Sequence, residues 1–166
     1  LLGERHPGQL DTHLAHGRCL RLAGDLDNAR DALSALIVAD KGIQPMAAFE
    51  FIELGQAYAK ESNYREAEAC FNTAIEAEEH GGLASFNLGE MFLEMHQIER
   101  AVSALRQATS LAPENPWFRY VLAQAEEKQG NIENAKSDYK KAVRMAPHDH
   151  AMAERLDDLL RKYGAP

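Results

Sequence analysis

The sequence has little cysteine and no long hydrophobic run, and both absences narrow the class of protein. Only two of the 166 residues are cysteines, Cys19 and Cys70, and neither belongs to a CxxC pair. Two isolated thiols do not make a disulfide framework, so we expect both to be reduced and at least half-buried.

No stretch approaches the roughly 18 apolar residues of a membrane-spanning helix, so we expect no direct membrane insertion. Reduced cysteines are compatible with the cytoplasm, but the sequence leaves the compartment unknown.

Positive charge is also scarce. The chain has 18 Lys and Arg against 26 Asp and Glu, which gives a formal net charge of −8. Binding to phosphate backbones draws on clustered Lys and Arg, so this balance argues against a nucleic-acid partner. An acidic chain instead favours a partner with apolar and basic groups. With 45% hydrophobic residues the chain can build a continuous core, as one domain or one run of repeats.

Sequence motifs of catalysis and metal binding are missing as well. There is no glycine-rich phosphate loop, no nucleophile elbow and no HExxH motif. His13, His16 and Cys19 are spaced i, i+3, i+6, but no fourth ligand follows at zinc-site spacing, so we interpret the two histidines as packing residues. Glu90 and Glu94, one helical turn apart, are interpreted as mildly repelling charges rather than an acid/base pair. We therefore expect a protein that is not an enzyme, with no catalytic residues, no metal and no cofactor.

The strongest positive signal is a pattern that repeats every 34 residues. Its central copy consists of Leu88, Gly89, Phe92, Ala101, Leu105, Ala108 and Pro113. One period earlier the same positions hold Leu54, Gly55, Tyr58, Ala67, Phe71, Ala74 and Glu79. One period later they hold Leu122, Ala123, Glu126, Ala135, Tyr139, Ala142 and Pro147. A weaker upstream copy consists of Gly17, Leu20, Gly24, Ala29 and Leu33.

This pattern resembles the tetratricopeptide repeat, a pair of antiparallel helices. The resemblance implies an all-α fold: a right-handed superhelical solenoid of about four such pairs plus a C-terminal capping helix. We place a frayed lead-in at 1–8, the four repeats within 9–147 at about 10–40, 48–81, 82–115 and 116–148, and the capping helix at 149–163. The first two pairs are spaced more widely than the others, and we place the extra residues within 41–45, where Pro45 interrupts any helix.

The predicted capping helix has two distinct faces. Its apolar face consists of Met152, Leu156, Leu159, Leu160 and Tyr163. Its outer face consists of Glu154, Arg155, Asp158, Arg161 and Lys162. A one-sided helix suits the end of a stack, where it covers an otherwise exposed apolar face. The alternative is that this helix is the first half of a fifth repeat.

Glycine recurs inside the first helix of several units, where it costs about 1 kcal/mol relative to alanine. Its recurrence at Gly55 and Gly89 therefore needs a packing reason. We attribute it to close approach of the second helix of the same unit, at Ala67 or Ala101.

A second set of residues on these first helices is not required by pairing within a unit. In proteins of the resembled family this set lines a concave groove that receives an extended peptide or a helix. The predicted groove residues are Phe49, Ile52, Gln56, Leu83, Phe86, Asn87, Glu90, Trp117, Tyr120 and Gln124. Exposed aromatic anchors flanked by polar groups are typical of binding hot spots. For Ile52 and Phe86 a core role is an equal alternative, whereas Trp117 and Tyr120 favour the groove.

One subclass of the family grips an acidic C-terminal tail with Lys, Asn and Arg at fixed positions. Of those positions only Asn87 matches here, so we do not expect that clamp. Arg18, Arg21 and Lys60 form a possible basic end of the groove, with three solvated charges as the alternative.

These observations predict a protein–protein interaction module that binds a peptide or helical segment in an apolar and aromatic groove. Two other functions are kept open. In the first alternative, the chain is a substrate-recognition or regulatory arm of a larger enzyme. In the second, it is a structural scaffold that associates with itself to form a homo-oligomer.

Overall fold

A computed structural model describes residues 7–39, 44–77 and 82–164, and all regular structure within these ranges is α-helical. The helices are α1 (Pro7–Leu22), α2 (Leu26–Ala39), α3 (Gln44–Lys60), α4 (Tyr64–Ala77), α5 (Leu83–Glu94), α6 (Ile98–Leu111), α7 (Pro116–Gln129), α8 (Ile132–Met145) and α9 (His150–Tyr163). The predicted all-α fold class is confirmed. α1 begins at Pro7, within the predicted lead-in, whose residues 1–6 lie outside the described ranges. Residues 40–43 of the predicted insertion also lie outside them, and Pro45 falls in the first turn of α3, where proline is tolerated.

The helices belong to two compact units, and each is described by itself. The first contains α1 to α4 and the second contains α5 to α9. Within each unit, consecutive helices pack as hairpins, α1 with α2, α3 with α4, α5 with α6 and α7 with α8. The second helix of a hairpin also contacts the helix that follows it in the same unit, which extends the packing along the chain.

The short turn inside each hairpin places one residue in the left-handed backbone region. These residues have φ of 83°, 61°, 57° and 86° at Gly24, Ser62, His96 and Gly130. The residue after each of them donates its N–H to a carbonyl near the helix end, as Gln97 does to Phe92 at 2.8 Å. This pattern closes a helix C-terminus and satisfies its last carbonyls. The sequence provides glycine at only two of the four turns.

We expect His96→Gly to stabilise the protein by up to about 1 kcal/mol. The left-handed backbone conformation costs a residue with a side chain about 1–2 kcal/mol, and glycine avoids that cost. Part of the gain is lost because glycine increases the conformational entropy of the unfolded chain. Gln97→Gly is the control, since its φ of −90° is ordinary for any residue. Thermal melts of both variants test this. A lower midpoint for His96→Gly than for the parent would contradict the strain at this turn.

The core of the first unit joins its helices by packing and by a hydrogen bond between side chains. Phe51, Leu54 and Phe71 are almost fully buried. The Tyr58 hydroxyl on α3 donates to the Asp27 carboxylate on α2 at 2.7 Å, and burial together with this contact raises the pKa of Tyr58. These contacts fix α3 against both neighbouring helices.

The core of the second unit is a continuous apolar cluster across α5, α6 and α7. Its buried members are Phe86, Val102, Leu105, Ala108, Phe118, Val121, Leu122 and Ala125. The rings of Phe86 and Phe118 stack with centroids 4.5 Å apart, which joins α5 directly to α7. A second cluster joins α7, α8 and α9 through Ala123, Ala135, Tyr139 and Leu159. Met152 and Leu159 of α9 are buried as predicted, whereas Tyr163 is exposed. The capping role of α9 stays a prediction.

Gly89 makes room for a specific large side chain of the partner helix. A Cβ built on Gly89 would lie 2.6 Å from Leu105 Cγ, and the nearest atom of Ala101 is its carbonyl oxygen at 3.4 Å. A Cβ on Gly55 would likewise meet the Phe71 ring at 2.7 Å. The predicted close approach is therefore present, but the residue that fills the space is Leu105 or Phe71 rather than the small Ala101 or Ala67.

We expect Gly89→Leu to destabilise the second unit by roughly 1–3 kcal/mol, because the new side chain overpacks against Leu105. Truncating the neighbour in the double variant Gly89→Leu/Leu105→Ala should recover part of that loss. Chemical denaturation gives the free energy of unfolding for both singles and the double. Strict additivity of the two single effects would show that Leu105 is not the residue in conflict.

A buried carboxyl group lies among charged groups of three helices. The side chain of Glu126 on α7 is almost fully buried, and its Oε1 accepts a hydrogen bond from Arg106 on α6 at 2.8 Å. Its other oxygen, Oε2, is buried without a hydrogen-bond donor. Burial raises the pKa of Glu126, Arg106 opposes that rise, and the Asp138 carboxylate of α8 adds to it. Asp138 is itself paired with Arg119 at 3.1 Å and Lys141 at 3.4 Å.

We expect Glu126→Gln to flatten the decline in stability from acid to neutral pH. A carboxyl whose pKa is raised by folding stabilises the folded state when protonated. That contribution is lost as the pH rises from the ordinary value of 4.5 through the folded pKa. Glutamine mimics the protonated form at every pH, so its melting midpoint should exceed that of the parent at neutral pH.

Melting midpoints at a series of pH values above 4 measure this difference, with the exposed Glu114→Gln as control. Parallel curves for parent and Glu126→Gln would contradict a raised pKa at Glu126.

Candidate functional site

Three of the predicted groove residues lie along one face of α7 in the second unit. Trp117, Tyr120 and Gln124 are spaced i, i+3, i+7, and we call this the α7 face. Trp117 is 47% exposed, and its ring stacks on that of Tyr120 with centroids 5.3 Å apart. Tyr120 is half-buried and meets the ring of the fully buried Tyr139 edge-on at 5.5 Å. The exposed indole therefore rests on a ring that is itself held by the core.

The start of α7 is fixed by a side-chain cap. The Asn115 side-chain oxygen accepts hydrogen bonds from the backbone N–H groups of Trp117 and Phe118 at 3.0 and 3.3 Å. Pro116 occupies the first position of the helix, where its missing N–H costs nothing. This Asn-Pro pair places the backbone of Trp117 in a defined position.

The predicted residues of α5 divide between surface and core. Leu83, at the first position of α5, is 38% exposed, whereas Phe86 is 5% exposed because its ring stacks on Phe118. Phe86 is therefore a core residue and offers no surface anchor. Asn87 is half-buried, and its amide donates to the Leu83 carbonyl at 2.8 Å. Burial, with a smaller contribution from Glu94, raises the pKa of the half-buried Glu90.

The first unit shows the same division on α3. Phe49 is 50% exposed, while Ile52 is 2% exposed and belongs to the core. Gln56 is half-buried. Met46, one turn before Phe49, is also exposed and was not among the predicted residues. Its spacing of three residues from Phe49 is the signal that would have found it.

The predicted basic end of the groove serves a different purpose in the structure. Arg18 Nε donates to the Glu50 carboxylate at 2.6 Å, and Arg21 Nη2 contacts its other oxygen at 3.2 Å. Glu50 is fully buried, so an uncompensated charge there would be costly and the two guanidinium groups neutralise it. Arg18 and Arg21 are thus committed to joining α1 to α3. Lys60 is exposed in the last turn of α3.

The residues considered for metal binding and redox chemistry lie apart from the α7 face in sequence, on α1 and α4. His13 and His16 are exposed, which corrects their prediction as packing residues; the buried residues of that stretch are Leu14 and Gly17. Cys19 is exposed, which corrects the expectation that both thiols are at least half-buried. Cys70 is buried, and burial raises its pKa to about 12. No helix in the described ranges has the length and hydrophobicity needed to cross a membrane.

A cluster that the sequence did not reveal joins α7 to α9. The Glu127 carboxylate accepts a hydrogen bond from Arg155 at 2.8 Å and lies 4.0 Å from the Lys162 ammonium. The Tyr139 hydroxyl approaches the same carboxylate at 3.4 Å. Arg155 was predicted on the outer face of α9, so its pairing with Glu127 is a correction. The two residues are 28 positions apart, and no local pattern indicates their contact.

Comparison with known proteins identifies the repeated helical hairpins. Two models of the tetratricopeptide repeat match residues 52–94 and 92–156, which together make up well over half of the chain. A TPR repeat-containing protein of Methanocaldococcus jannaschii is 28% identical over 107 residues, or 64% of this chain. The chain spans only 19% of that relative's length.

Solved structures with the same fold include MamA, with a TM-score of 0.68 and 20% identity over 88% of this chain and 83% of the other. YrrB, described as a TPR protein with an unusual peptide-binding site, has a TM-score of 0.67 and 18% identity over 90% and 75%. The first TPR of Spaghetti (RPAP3), bound to the HSP90 peptide SRMEEVD, has a TM-score of 0.65 and 19% identity over 71% and 94%. These likenesses concern the fold. With two matching repeat models and a repeat-containing relative, the chain belongs to the tetratricopeptide repeat family.

Proposed function

We propose that this chain is a protein–protein interaction module that binds an apolar peptide or helical segment of another protein at Leu83 of α5 and at the α7 face. The observation that carries the proposal is the exposed Trp117 ring stacked on Tyr120. The part of the Trp117 side chain that is exposed to water contributes nothing to the stability of the domain itself. Large aromatic groups that are exposed but rigid are the residues that dominate binding energy at interfaces.

Rigidity matters because binding has to compensate for the ordering of flexible groups. An exposed side chain that is immobilised only on binding costs about 0.5–1.5 kcal/mol of affinity. The Trp117 ring already rests on Tyr120, which rests on Tyr139, and the Asn115 cap holds the backbone below it. Much of that cost is therefore met when the domain folds.

Polar groups on α7 and α5 can give the ligand its orientation. Gln124 lies one helical turn beyond Tyr120 on the α7 face, and Glu90 lies on α5 with Glu94 one turn after it. Two carboxylates one turn apart repel each other, and a basic residue of the ligand would relieve that repulsion. One structure of this fold is bound to a peptide and another is described as having a peptide-binding site, which supports a peptide ligand here.

In the first unit, Met46 and Phe49 form an equivalent exposed apolar pair on α3. We propose it as a separate candidate binding surface of the first unit, with Gln56 on the same helix as a polar neighbour. Ile52 is excluded from this surface by its burial.

We expect Trp117→Ala to weaken peptide binding roughly 30-fold or more, since truncating a hot-spot residue costs about 2 kcal/mol or more. Peptides are first selected from a random displayed library on the whole chain, and fluorescence anisotropy of the labelled peptides then gives the dissociation constants. Leu83→Ala should also weaken binding. The matched control is Leu111→Ala, which truncates an equally exposed leucine at the end of α6 that is not among the predicted groove residues.

Thermal melts must first show that all three variants are folded. Equal losses for Leu83→Ala and Leu111→Ala, or unchanged binding by Trp117→Ala, would overturn the proposed surface. Failure of the library to yield any enriched peptide would overturn the peptide-binding function itself.

Self-association is the second candidate, because Leu83 and Trp117 are also the kind of exposed apolar residues that an interface between copies uses. It predicts a molar mass that rises with concentration in the parent and stays monomeric in Trp117→Ala. Light scattering over a range of concentrations measures this. A parent that stays monomeric throughout leaves the peptide-binding role.

A further inference from the structure

The charge of the chain is unevenly distributed, and one cleft of the second unit is locally positive. This cleft has a volume of about 410 Å³ and is lined by Gln124, Glu127, Lys128, Arg155, Lys162 and Tyr163. It therefore contains three cations and one carboxylate, whereas the whole chain has a formal net charge of −8. We call it the α7–α9 cleft.

Helix ends have to be included in that balance. Lys128 is in the last turn of α7 and Lys162 in the last turn of α9, and each helix C-terminus carries about half a negative charge. Two such ends together offset about one of the positive charges. Roughly one net positive charge is left, so compensation of the helix dipoles does not account for all three cations.

The single carboxylate of the cleft holds the cations in place more than it neutralises the surface. Glu127 is largely buried and contacts Arg155 at 2.8 Å and Lys162 at 4.0 Å. The side chains of Arg155 and Lys162 are about half exposed or more, so both retain donors that face solvent. Arginine has five N–H donors and lysine three, and one carboxylate cannot accept them all.

The cleft also continues the α7 face. Trp117, Tyr120, Gln124 and Lys128 are spaced i, i+3, i+7, i+11 along α7, and Gln124 lines the cleft itself. A ligand whose apolar side chain rests on the Trp117 ring would therefore reach the cleft with a residue a few positions along its own chain.

We propose that the α7–α9 cleft binds the carboxylate of an acidic side chain of the peptide ligand, beside the apolar anchor on Trp117. This inference rests on the proposed function and deepens it. The net charge of the whole chain had led us to expect a basic ligand, and Glu90 and Glu94 on α5 still suit a basic residue. At the α7–α9 end of the surface, however, local charge complementarity requires the opposite sign.

The test compares peptides selected from the random library by the parent and by two charge-reversal variants. Lys162→Glu places a negative charge in the cleft. Arg161→Glu makes the same change one residue earlier in the same helical turn, but Arg161 pairs with Asp158 and does not line the cleft. The parent and Arg161→Glu should both enrich peptides with an acidic residue near an apolar residue. Lys162→Glu should lose that acidic preference while it retains the apolar one.

Binding constants then give the size of the effect. A selected acidic peptide should bind Lys162→Glu roughly tenfold or more weakly than it binds the parent or Arg161→Glu, as expected for loss of a charge-assisted hydrogen bond. Lys128→Glu should weaken it in the same direction, and this variant leaves α9 unaltered. Replacement of the peptide's acidic residue by glutamine should remove the difference between parent and variants.

The possible failures are distinct. Enrichment of apolar peptides without an acidic preference, or equal losses for Lys162→Glu and Arg161→Glu, overturns the proposed carboxylate site and leaves the proposed function standing. Enrichment of basic residues that is unaffected by either variant also overturns it. The absence of any enriched peptide overturns the proposed function and this inference together.

Discussion

Each of the first three helix hairpins depends on a glycine in its first helix that leaves space for a large side chain of its second. The pairs are Gly17 with Leu33, Gly55 with Phe71, and Gly89 with Leu105, and a Cβ on any of these glycines would lie 2.6–2.7 Å from its neighbour. In the fourth hairpin Ala123 and Tyr139 share one buried cluster. Because the two helices approach so closely, the side chains on either side of the glycine are fixed in their positions. The rest of each unit is packed around this contact.

Close packing on one face of a helix determines what the neighbouring face can do. On α5 and α7, residues a few positions apart and next to the closely packed face differ in burial. Phe86 stacks on Phe118 in the core, while Leu83 and Trp117 stay exposed. Exposed apolar groups on a rigid support give a surface that requires little ordering on binding. One face of each of these helices thus stabilises the fold, and the neighbouring face carries the proposed binding role.

Charge in this protein is organised by pairs of helices more than by the overall balance. Glu50, Glu126 and Glu127 are all largely buried, and each is paired with arginine from another helix of its unit: Arg18 and Arg21, Arg106, and Arg155. Breaking a buried pair by removing one partner is costly, because the other charge stays buried without compensation. The arginines paired with Glu50 and Glu126 therefore have a structural role. At Glu127 two cations, Arg155 and Lys162, face one carboxylate, and the exposed parts of their side chains are open to a ligand.

The sequence by itself determined the helices and their order, because a 34-residue recurrence of small, aromatic and leucine residues records which positions must pack. The helix cap at Asn115 is also a local feature, because its side chain bonds to backbone N–H groups two and three residues further along the chain. Tertiary structure alone decided whether a residue beside the packed row is core or surface: Ile52 and Phe86 became core, while Phe49 and Trp117 did not. It also decided which charges are free, because Arg18 meets Glu50 and Arg155 meets Glu127 across distances in sequence that no local pattern encodes. Packing positions are fixed by steric contacts within a repeat, whereas exposure and charge pairing depend on which side chains the neighbouring helices place beside a residue.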